Sequence, residues 1–365
     1  MILVAATAMT TAHARQTLRV LAIGNSFTTD ALGYMPWMMK AMANDVDLTL
    51  GLVYSGGYTL RQHWYNGARD TVAYRHFSKC VRGTRWVEPY TQYTCTLEQA
   101  VTHDHWDIIL LQQGSSQSRD YGQYQPYLNY LINWLNQHVT NENVIYGWLL
   151  PQAWANGYQN LGEDTSLDMF ADMAACAQRV LNETAVSFVI PCGTSIENAR
   201  MTPLDTIGVF GHLSLDGMHL QEGIPCLLEA YVAAQTLLQQ IGRQVELPAT
   251  LFNVTQTWVI NIIRPDKRGD VYGFNHAIQR IYARKCIELA MQSPFQPIQP
   301  MVPPLGDVNA DYLIDVHDIK ALQQIITESA SPNDFGGLSD INGDGVVDVV
   351  DINEIITIIT ANSLQ

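Results

Sequence analysis

A serine near the start of the chain and an Asp/His pair far along it have the residue types needed for acyl-transfer chemistry. Ser26 lies in Gly24-Asn25-Ser26-Phe27-Thr28, directly after an apolar run, and Asp216 and His219 are three residues apart. A serine hydroxyl becomes a nucleophile when an imidazole takes its proton and a carboxylate orients that imidazole. The three residues therefore predict a hydrolase with Ser26 as nucleophile, His219 as base and Asp216 as orienting carboxylate.

A second set of residues, near the C-terminal end, could bind a hard cation. Oxygen-bearing side chains recur after 33 residues: Asp307, Asn309, Asp311, Asp315 and Asp318, then Asp340, Asn342, Asp344, Asp348 and Asp351. In each copy they occupy positions 1, 3, 5, 9 and 12 of a loop, the spacing that surrounds a calcium ion with oxygen ligands. Carboxylates crowded in this way repel each other unless a cation neutralises them. The repeat therefore predicts two calcium sites.

The serine must be positioned by regular secondary structure, and the apolar pattern predicts which elements do so. Short β-rich runs at 18–23, 47–53, 107–111, 143–149 and 186–191 alternate with segments of helical period, including 124–138, 166–182, 221–241 and 274–291. This alternation favours a doubly wound parallel sheet, in which ligands bind beyond the carboxyl ends of the strands. Ser26, Gly57 and Gln113 each follow a strand, so the sequence predicts that they share one rim of the sheet.

Residues 17 to about 292 resemble the SGNH (GDSL-like) hydrolases, through the Gly24-Asn25-Ser26 block and the Asp216-x-x-His219 block. The resemblance implies the same roles for Ser26, His219 and Asp216. It also implies an oxyanion hole containing two backbone N–H groups, those of Ser26 and of a glycine after the second strand. Gly57 is the expected glycine, with Gly56 as the alternative.

The chain departs from this family at the third oxyanion donor. The family uses the Asn of a G-x-N-D block after the third strand, whereas this chain reads Gln112-Gln113-Gly114-Ser115-Ser116-Gln117-Ser118. A Gln amide offers the same N–H donor on a stem that is one methylene longer, so Gln113 is the expected substitute. Gln112, Ser116 and Gln117 remain alternatives.

Two competing interpretations of the serine segment stay open at this stage. The G-x-S-x-G elbow of α/β-hydrolases is disfavoured because Thr28 occupies its fifth position and the preceding strand is the first of the chain. The purely structural interpretation is that Ser and Thr here cap a helix after a strand. Under this structural interpretation, the protein would be a carbohydrate-binding or scaffold-attached protein whose hydrolase site has decayed. The absence of the Asn after the third strand is the feature that keeps this alternative open.

The C-terminal repeat resembles a type I dockerin, a duplicated calcium loop and helix in which Asp replaces the terminal Glu of an EF-hand. The resemblance adds the backbone carbonyls of Leu313 and Val346, at position 7, to the ten side-chain ligands. Tyr312 stands where the second loop has Gly345, so the first site is expected to be weaker. A cohesin-like domain is the implied partner, although Val316, His317, Val349 and Val350 are more apolar than the usual contact residues.

The expected organisation is a signal peptide (1–14), an SGNH hydrolase domain (15–292), a Pro-rich linker (293–305) and a dockerin-like calcium-binding domain (306–365). The fold class is α/β: a three-layer α/β/α flavodoxin-like domain with a parallel sheet, followed by a small all-α domain with paired calcium loops. The long connection from 61 to 104 contains Trp64, Tyr65, Trp86, Tyr90 and Tyr93. It is interpreted either as a lid or substrate wall, or as an insertion whose aromatics pack onto the domain.

The net charge, the N-terminal segment and the cysteine content indicate which partners and which compartment to expect. The net charge is −15, and residues 306–365 carry −10 of it, from eleven acidic residues and one lysine. The acidity is therefore local, and nucleic-acid binding lacks a basic patch. Met1 to Ala14 is apolar and ends in Ala12-His13-Ala14, which predicts export without a membrane span. Six cysteines are compatible with disulfides, with Cys80 and Cys95 the easiest pair.

The sequence thus predicts a secreted or periplasmic serine esterase that removes acyl groups, most simply acetyl groups, from polysaccharides. The carbohydrate part rests on the dockerin resemblance, since such modules accompany polysaccharide-degrading enzymes. A lipid or general carboxylesterase is the alternative enzyme. Calcium is the only cofactor expected, and none is expected to take part in catalysis.

Overall fold

The computed structural model describes residues 16–69, 74–82, 91–205, 211–247, 277–301, 304, 306–309, 313–327, 339–342, 344 and 346–362. The strands are β1 (Gln16–Gly24), β2 (Val46–Tyr54), β3 (Tyr74–Arg82), β4 (Thr91–Cys95), β5 (Ile108–Leu111), β6 (Ile145–Leu149) and β7 (Val186–Ile190). The helices of the first part are α1 (Ser26–Leu32), α2 (Met35–Met42), α3 (Leu60–Gln62), α4 (Leu97–Val101), α5 (Tyr127–His138), α6 (Ser166–Glu183), α7 (Cys192–Arg200), α8 (Ile224–Gln240) and α9 (Ala277–Gln292). Two more follow, α10 (Val316–Ile326) and α11 (Val349–Asn362).

The sheet has the order β4-β3-β2-β1-β5-β6-β7, and its five strands β2, β1, β5, β6 and β7 are parallel. If the five parallel strands are numbered 1 to 5 along the chain, their order in the sheet is 2-1-3-4-5, which is the flavodoxin-like order. The predicted α/β fold class is therefore confirmed. The order places the ends of β2, β1 and β5 side by side, which brings the segments that follow them to one rim.

Alternation along β1 divides the core into two layers, one on each face of the sheet. Leu18, Val20 and Ala22 pack into a cluster with helices α1, α2, α7, α8 and α9. Leu21 and Ile23 point to the other face, into a cluster with α4, α5 and α6. Successive side chains of a strand point to opposite faces of the sheet. A strand whose residues are all apolar is therefore buried on both faces.

The connection from 61 to 104 contributes two strands that the sequence did not predict. β3 pairs with β2 and β4 pairs with β3, both antiparallel, so they extend the sheet beyond β2. Trp64 packs against Tyr130 of α5, with ring centroids 5.2 Å apart. Trp86, Tyr90 and the Tyr93 side chain lie outside the described residues. The described residues of the insertion extend the sheet and pack onto α5. They favour the packing interpretation over a free lid.

Cys80 and Cys95, the easiest pair for a disulfide on sequence grounds, lie too far apart to form one. Cys95 pairs across the ladder with Tyr74, six residues from Cys80, a separation of about 20 Å along the strand. A disulfide needs Cα atoms within about 7 Å. The cysteines whose side chains the structure describes are all buried free thiols: Cys95, Cys176, Cys192, Cys226 and Cys286.

The predicted linker is anchored to the first part of the chain at its beginning. The Ile298 N–H donates to Asn198 Oδ1 at 2.7 Å, and Thr194 Oγ1 donates to the Pro294 carbonyl. Phe295 packs against the core cluster on the α5/α6 face. Residues 294–298 are therefore fixed to α7 instead of forming the start of a free spacer.

Beyond the linker, α10 and α11 pack on each other around a small separate core. Its buried residues include Val308, Leu322 and Ile355, and the apolar positions repeated between the two halves, such as Ile319 and Ile352, pack against them.

Among the described helices, none has the length and apolar character needed to cross a membrane.

Candidate active site

Ser26, His219 and Asp216 form a continuous hydrogen-bonded chain. Ser26 Oγ and His219 Nε2 are 2.9 Å apart, and His219 Nδ1 and Asp216 Oδ2 are 2.8 Å apart. Asp216 can only accept, so Nδ1 carries the proton and Nε2 is left to accept from the serine hydroxyl. The structure thus brings together three side chains separated by up to 193 residues.

In the serine segment, the residues that cap α1 differ from the residue that faces His219. Asn25 is the N-cap of α1: its side chain accepts from the Phe27 N–H, and Thr28 Oγ1 accepts from the Asn25 N–H. A Cβ on Gly24 would lie 1.9 Å from Thr28 Oγ1, so the glycine makes room for this cap. Asn25 and Thr28 take the capping role that the structural interpretation gave to the serine. The Ser26 hydroxyl is therefore available to His219.

The histidine is held in a tight loop. Ser214 and Leu220 form an isolated antiparallel bridge, and the Leu215 N–H donates to the His219 carbonyl at 2.9 Å. Gly217 has φ +88°, a left-handed conformation that favours glycine. The imidazole and the Phe27 ring pack in a T-shaped arrangement, with ring centroids 5.7 Å apart. These contacts fix the orientation of the His219 ring.

Asp216 is held in its charged form by the same loop. Partial burial alone would raise its pKa, but hydrogen bonds from the His219 N–H, the His219 imidazole and the Met218 N–H lower the pKa from 3.8 to about 2. Because those donors prefer a carboxylate, Asp216 stays ionised in neutral and mildly acidic solution.

This shift predicts a pH-dependent contribution of Asp216 to stability. The pKa is lower in the folded protein, so the contribution is complete above pH 3.8 and is lost as the pH falls toward 2. We expect the difference in unfolding free energy between wild type and Asp216→Asn to shrink as the pH falls from 3.8 toward 2. Urea denaturation at a series of pH values measures it. A difference that stays constant down to pH 2 would contradict this assignment.

Asp30 is a site residue that sequence reasoning missed. It lies on α1 one helical turn after Ser26, and its Oδ2 accepts from the Leu220 N–H at 3.1 Å and from Gln152 Nε2 at 3.4 Å. Gln152 also donates to the Met218 carbonyl at 3.4 Å. Asp30 thereby ties the helix that carries the serine to the loop that carries the histidine. Its spacing of four residues from Ser26 was the only signal in the sequence.

The segments after β1, β2 and β5 are joined by buried amides. Gln112 Nε2 donates to Asn25 Oδ1 at 2.5 Å, and Asn25 Nδ2 donates to the Tyr58 carbonyl at 3.0 Å. Gly57, in the turn before Tyr58, has φ +69° and nothing within 4 Å of the place where a Cβ would lie. Within the part of the chain that the structure describes, neither the Ser26 nor the Gly57 N–H donates to a protein group. Both amides are therefore available to a ligand.

Gln113 is placed differently from the expectation. Its Oε1 accepts from the Leu60 and Gly114 N–H groups at 2.9 and 3.0 Å, and its Nε2 donates to the Gln123 carbonyl at 3.1 Å. It is 1% exposed. These bonds favour a role in holding the loops after β2 and β5 together. Among the alternatives, Gln112 bonds to Asn25, whereas Ser116 and Gln117 line a cavity.

That cavity, of about 590 Å³, opens beside Gly57. Thr59, Arg61, Tyr65, Asn66, Ser116 and Gln117 are among its lining residues. The preceding Ser115 Oγ lies 3.9 Å from Met218 Sδ, next to His219. Gln117 Oε1 is buried without a hydrogen-bond partner among the described residues. The cavity is the space adjacent to the Ser26 rim that could hold a substrate.

Trp148, in β6, and Trp154, in the loop after it, have different environments. Trp148 is 1% exposed and packs against Tyr124, so it is a core residue. Trp154 is 9% exposed and its Nε1 has no partner among the described residues. The neighbouring Ala155 N–H donates to the Gly217 carbonyl at 2.7 Å, so this loop supports the His219 loop.

The described residues of the predicted calcium loops form two similar networks. Asp318 Oδ1 accepts from the Asn309 N–H at 3.1 Å, and Asp351 Oδ1 accepts from the Asn342 N–H at 3.2 Å. Asp307, Asp318 and Asp351 are fully buried. Asp315 caps α10, and the Val350 N–H donates to Asp348 Oδ1 at the start of α11.

The remaining predicted ligands are more exposed or lie elsewhere. Asp344 accepts from Asn342 Nδ2 at 2.9 Å and donates its own N–H to Asp340 Oδ1 at 3.1 Å. Leu313 and Val346 are exposed. Asp311, Tyr312 and Gly345 lie outside the described residues. Within the described ranges, no three His, Cys, Asp or Glu side chains are close enough together to hold an ion.

Sequence comparison assigns both parts of the chain to known patterns. The family described as a domain of unknown function, DUF4886, matches residues 19–259, and the dockerin type I domain matches residues 305–360. The dockerin expected from the repeat is thereby confirmed. No curated protein matches the chain.

Three solved structures resemble this one. A DUF4886 family protein from Bacteroides uniformis ATCC 8492 is 23% identical, covers 78% of this chain and 98% of its own, and has a TM-score of 0.59, which shows a shared fold. A protein from Slackia heliotrinireducens, described provisionally as an SGNH hydrolase, is 17% identical over 60% of this chain and 99% of its own, with a TM-score of 0.41. A carbohydrate esterase family 2 enzyme from Corynascus thermopiles is 10% identical over 62% and 67%, with a TM-score of 0.36.

Proposed function

Starting from the membership of this chain in the DUF4886 family, whose name states no function, we propose that it is a serine ester hydrolase acting on acyl esters through Ser26, His219 and Asp216. The observation that supports this most directly is the chain of hydrogen bonds from Ser26 Oγ through the imidazole to the Asp216 carboxylate. Few structural roles need a serine, an imidazole and an ionised carboxylate in this order and tautomer.

In the proposed reaction, Ser26 Oγ attacks the ester carbonyl carbon while His219 Nε2 takes the hydroxyl proton. Asp216 holds Nδ1–H and stabilises the imidazolium that forms. The tetrahedral intermediate collapses when His219 donates the proton to the leaving alkoxide, which leaves an acyl-serine. Water, deprotonated by the same imidazole, then releases the acid and restores the serine.

The oxyanion is proposed to be bound by the N–H groups of Ser26 and Gly57, both of which lack a protein acceptor among the described residues. For the third donor, Gln117 replaces Gln113 in our proposal. Gln117 lines the cavity beside Gly57, whereas the Gln113 amide is bonded to Leu60, Gly114 and Gln123. Preorganised donors of this kind are each worth about a hundredfold or more in rate.

Asp30 is proposed as a positioning residue for this reaction. Asp30→Ala would remove the acceptor that joins α1 to the Leu220 N–H, so the Ser26–His219 distance would be less tightly fixed. We expect kcat for p-nitrophenyl acetate to fall about tenfold while KM is unchanged. Asp30→Asn keeps an acceptor oxygen and should recover most of the loss. Equal loss in both variants would contradict the positioning role.

The proposed substrates are small acyl esters, acetyl above all, on polysaccharides, and the proposed compartment is extracellular. The support for this is the dockerin type I domain, because such domains accompany polysaccharide-degrading enzymes. A cohesin-like domain is the proposed partner. The exposed side chains at the starts of α10 and α11, Val316, Val349 and Val350, are available for such a contact.

We also propose that each loop of the dockerin domain binds calcium. The donor set suits a hard cation because it consists of oxygens only, including the buried carboxylates of Asp318 and Asp351, each at the last position of its loop. Asp307, Asn309, Asp311, Asp315 and the Leu313 carbonyl would complete the first site. Asp340, Asn342, Asp344, Asp348 and the Val346 carbonyl would complete the second. The ion would supply structural stability and no catalytic step.

A screen of acetate release from acetylated xylan, pectin and other acetylated glycans tests the substrate class, with p-nitrophenyl esters of increasing chain length as a second series. We expect acetyl esters to be the better substrates and at least one acetylated glycan to release acetate. Preference for long-chain esters would favour a lipid esterase. No hydrolysis of any ester by the wild type would favour a decayed site.

A further inference from the structure

The cavity beside Gly57 contains a cation that the proposed mechanism does not use. Arg61 lines this cavity, as do Gly57 and Gln117, the two oxyanion donors proposed outside the Ser26 segment. No Asp or Glu is among the lining residues that the structure describes. A guanidinium therefore lies in the space where the part of a substrate next to the scissile ester would be held.

The Arg61 side chain is held by aromatic rings. Its guanidinium carbon lies 5.7 Å from the centroid of the Tyr65 ring and 5.9 Å from that of Tyr127. The two rings are themselves 5.9 Å apart, and Arg69 lies 5.3 Å from the Tyr65 centroid on the same short segment. Cation–π contacts restrict the guanidinium before any ligand arrives, which reduces the entropy lost on binding.

Arg61 also lacks the carboxylate partner that four other described arginines have. Arg119, Arg179, Arg200 and Arg243 each form an ion pair with Asp or Glu. Within the part of the chain that the structure describes, Arg61 forms no ion pair and no side-chain hydrogen bond. We therefore expect a carboxylate of the ligand to be the ion-pair partner of the Arg61 guanidinium.

We propose that Arg61 binds the carboxylate of an acidic sugar, a uronate residue adjacent to the acylated one. This inference rests on the proposed function, since it adds the substrate class to the same site. The planar guanidinium matches a carboxylate with two parallel hydrogen bonds, which an ammonium cannot provide. A neutral acetylated glycan would leave this donor without its acceptor, so the cavity discriminates between acidic and neutral polymers.

The test compares two forms of one polymer: acetylated polygalacturonate with free carboxylates, and the same polymer with the carboxylates methyl-esterified. We expect the wild type to deacetylate the free acid with the lower KM. Arg61→Gln should raise KM for the free acid about tenfold, with kcat unchanged, because one charge-assisted contact made equally in the ground and transition states is lost. KM for the methyl ester should not change, and the difference between the polymers should shrink at high salt.

Arg179→Gln is the matched control. Arg179 also lies over a tyrosine ring, 3.8 Å from the centroid of Tyr121, but it pairs with Glu183 and is not among the residues that line the cavity. We expect it to leave both KM values unchanged.

Hydrolysis of p-nitrophenyl acetate separates failure of this inference from failure of the proposed function. Arg61→Gln should hydrolyse it at the wild-type rate. If it does, but KM changes equally for both polymers or for neither, the uronate assignment is wrong. Activity on p-nitrophenyl acetate with none on either polymer also overturns it. A wild type that cannot hydrolyse p-nitrophenyl acetate overturns the ester hydrolase itself.

Discussion

Ser26→Ala is expected to lower kcat for p-nitrophenyl acetate by about four orders of magnitude or more. The variant keeps the Asn25 and Thr28 caps of α1 and loses only the hydroxyl that faces His219. Circular dichroism and the unfolding midpoint should therefore be close to those of the wild type. Steady-state kinetics at saturating substrate measure the effect.

The double variant with His219→Ala provides the control. Nucleophile and base act as one unit, so removing both should cost about as much as removing either one. Effects that instead multiply would show that the two side chains act separately. If Ser26→Ala retains the wild-type rate, Ser26 is not the nucleophile.

Removal of calcium is expected to produce the largest change in stability, confined to the dockerin domain. An ion at a thousand times its Kd stabilises the folded state by about 4 kcal/mol. For a domain of this size that corresponds to a shift on the order of 20 °C in Tm. Calorimetry of the full chain with calcium and with EDTA should move the transition of the C-terminal part and leave that of the α/β part in place.

Variants of the last ligand in each loop separate the two sites. Asp351→Asn and Asp318→Asn change buried carboxylates that accept backbone N–H groups, and each should weaken calcium stabilisation in part. We expect the smaller loss from Asp318→Asn, because the first loop has Tyr312 where the second has Gly345. A melting profile that EDTA leaves unchanged would remove the metal assignment.

The sequence predicted the parallel sheet because its five parallel strands are mainly apolar and most of their side chains are buried. It did not predict β3 and β4. These two strands contain Arg, Lys, Ser, Gln and Thr, so they have no continuous apolar run that would identify them. Their pairing with β2 depends on tertiary contacts that a local pattern does not contain.

The candidate site was predictable to the extent that its residues lie in short motifs. Ser26, Asp216 and His219 come together as expected, because each lies in a local pattern after a strand or in a tight loop. Asp30 was not predictable, because its partner, the Leu220 N–H, is 190 residues away. Gln113 follows its strand as expected, yet the amide direction depends on Leu60 and Gln123, which no spacing rule identifies.

The anchoring of residues 294–298 on α7 limits how far the two parts of the chain can separate. The chain from Ile298 to Gly306 has eight residue steps, which span at most about 28 Å when fully extended. A short tether gives a high effective concentration of whatever is held nearby. If the proposed hydrolase is attached through its dockerin domain, it should act on material within a few nanometres of the attachment point. Lengthening the chain between the two parts should widen this reach at the expense of the local rate.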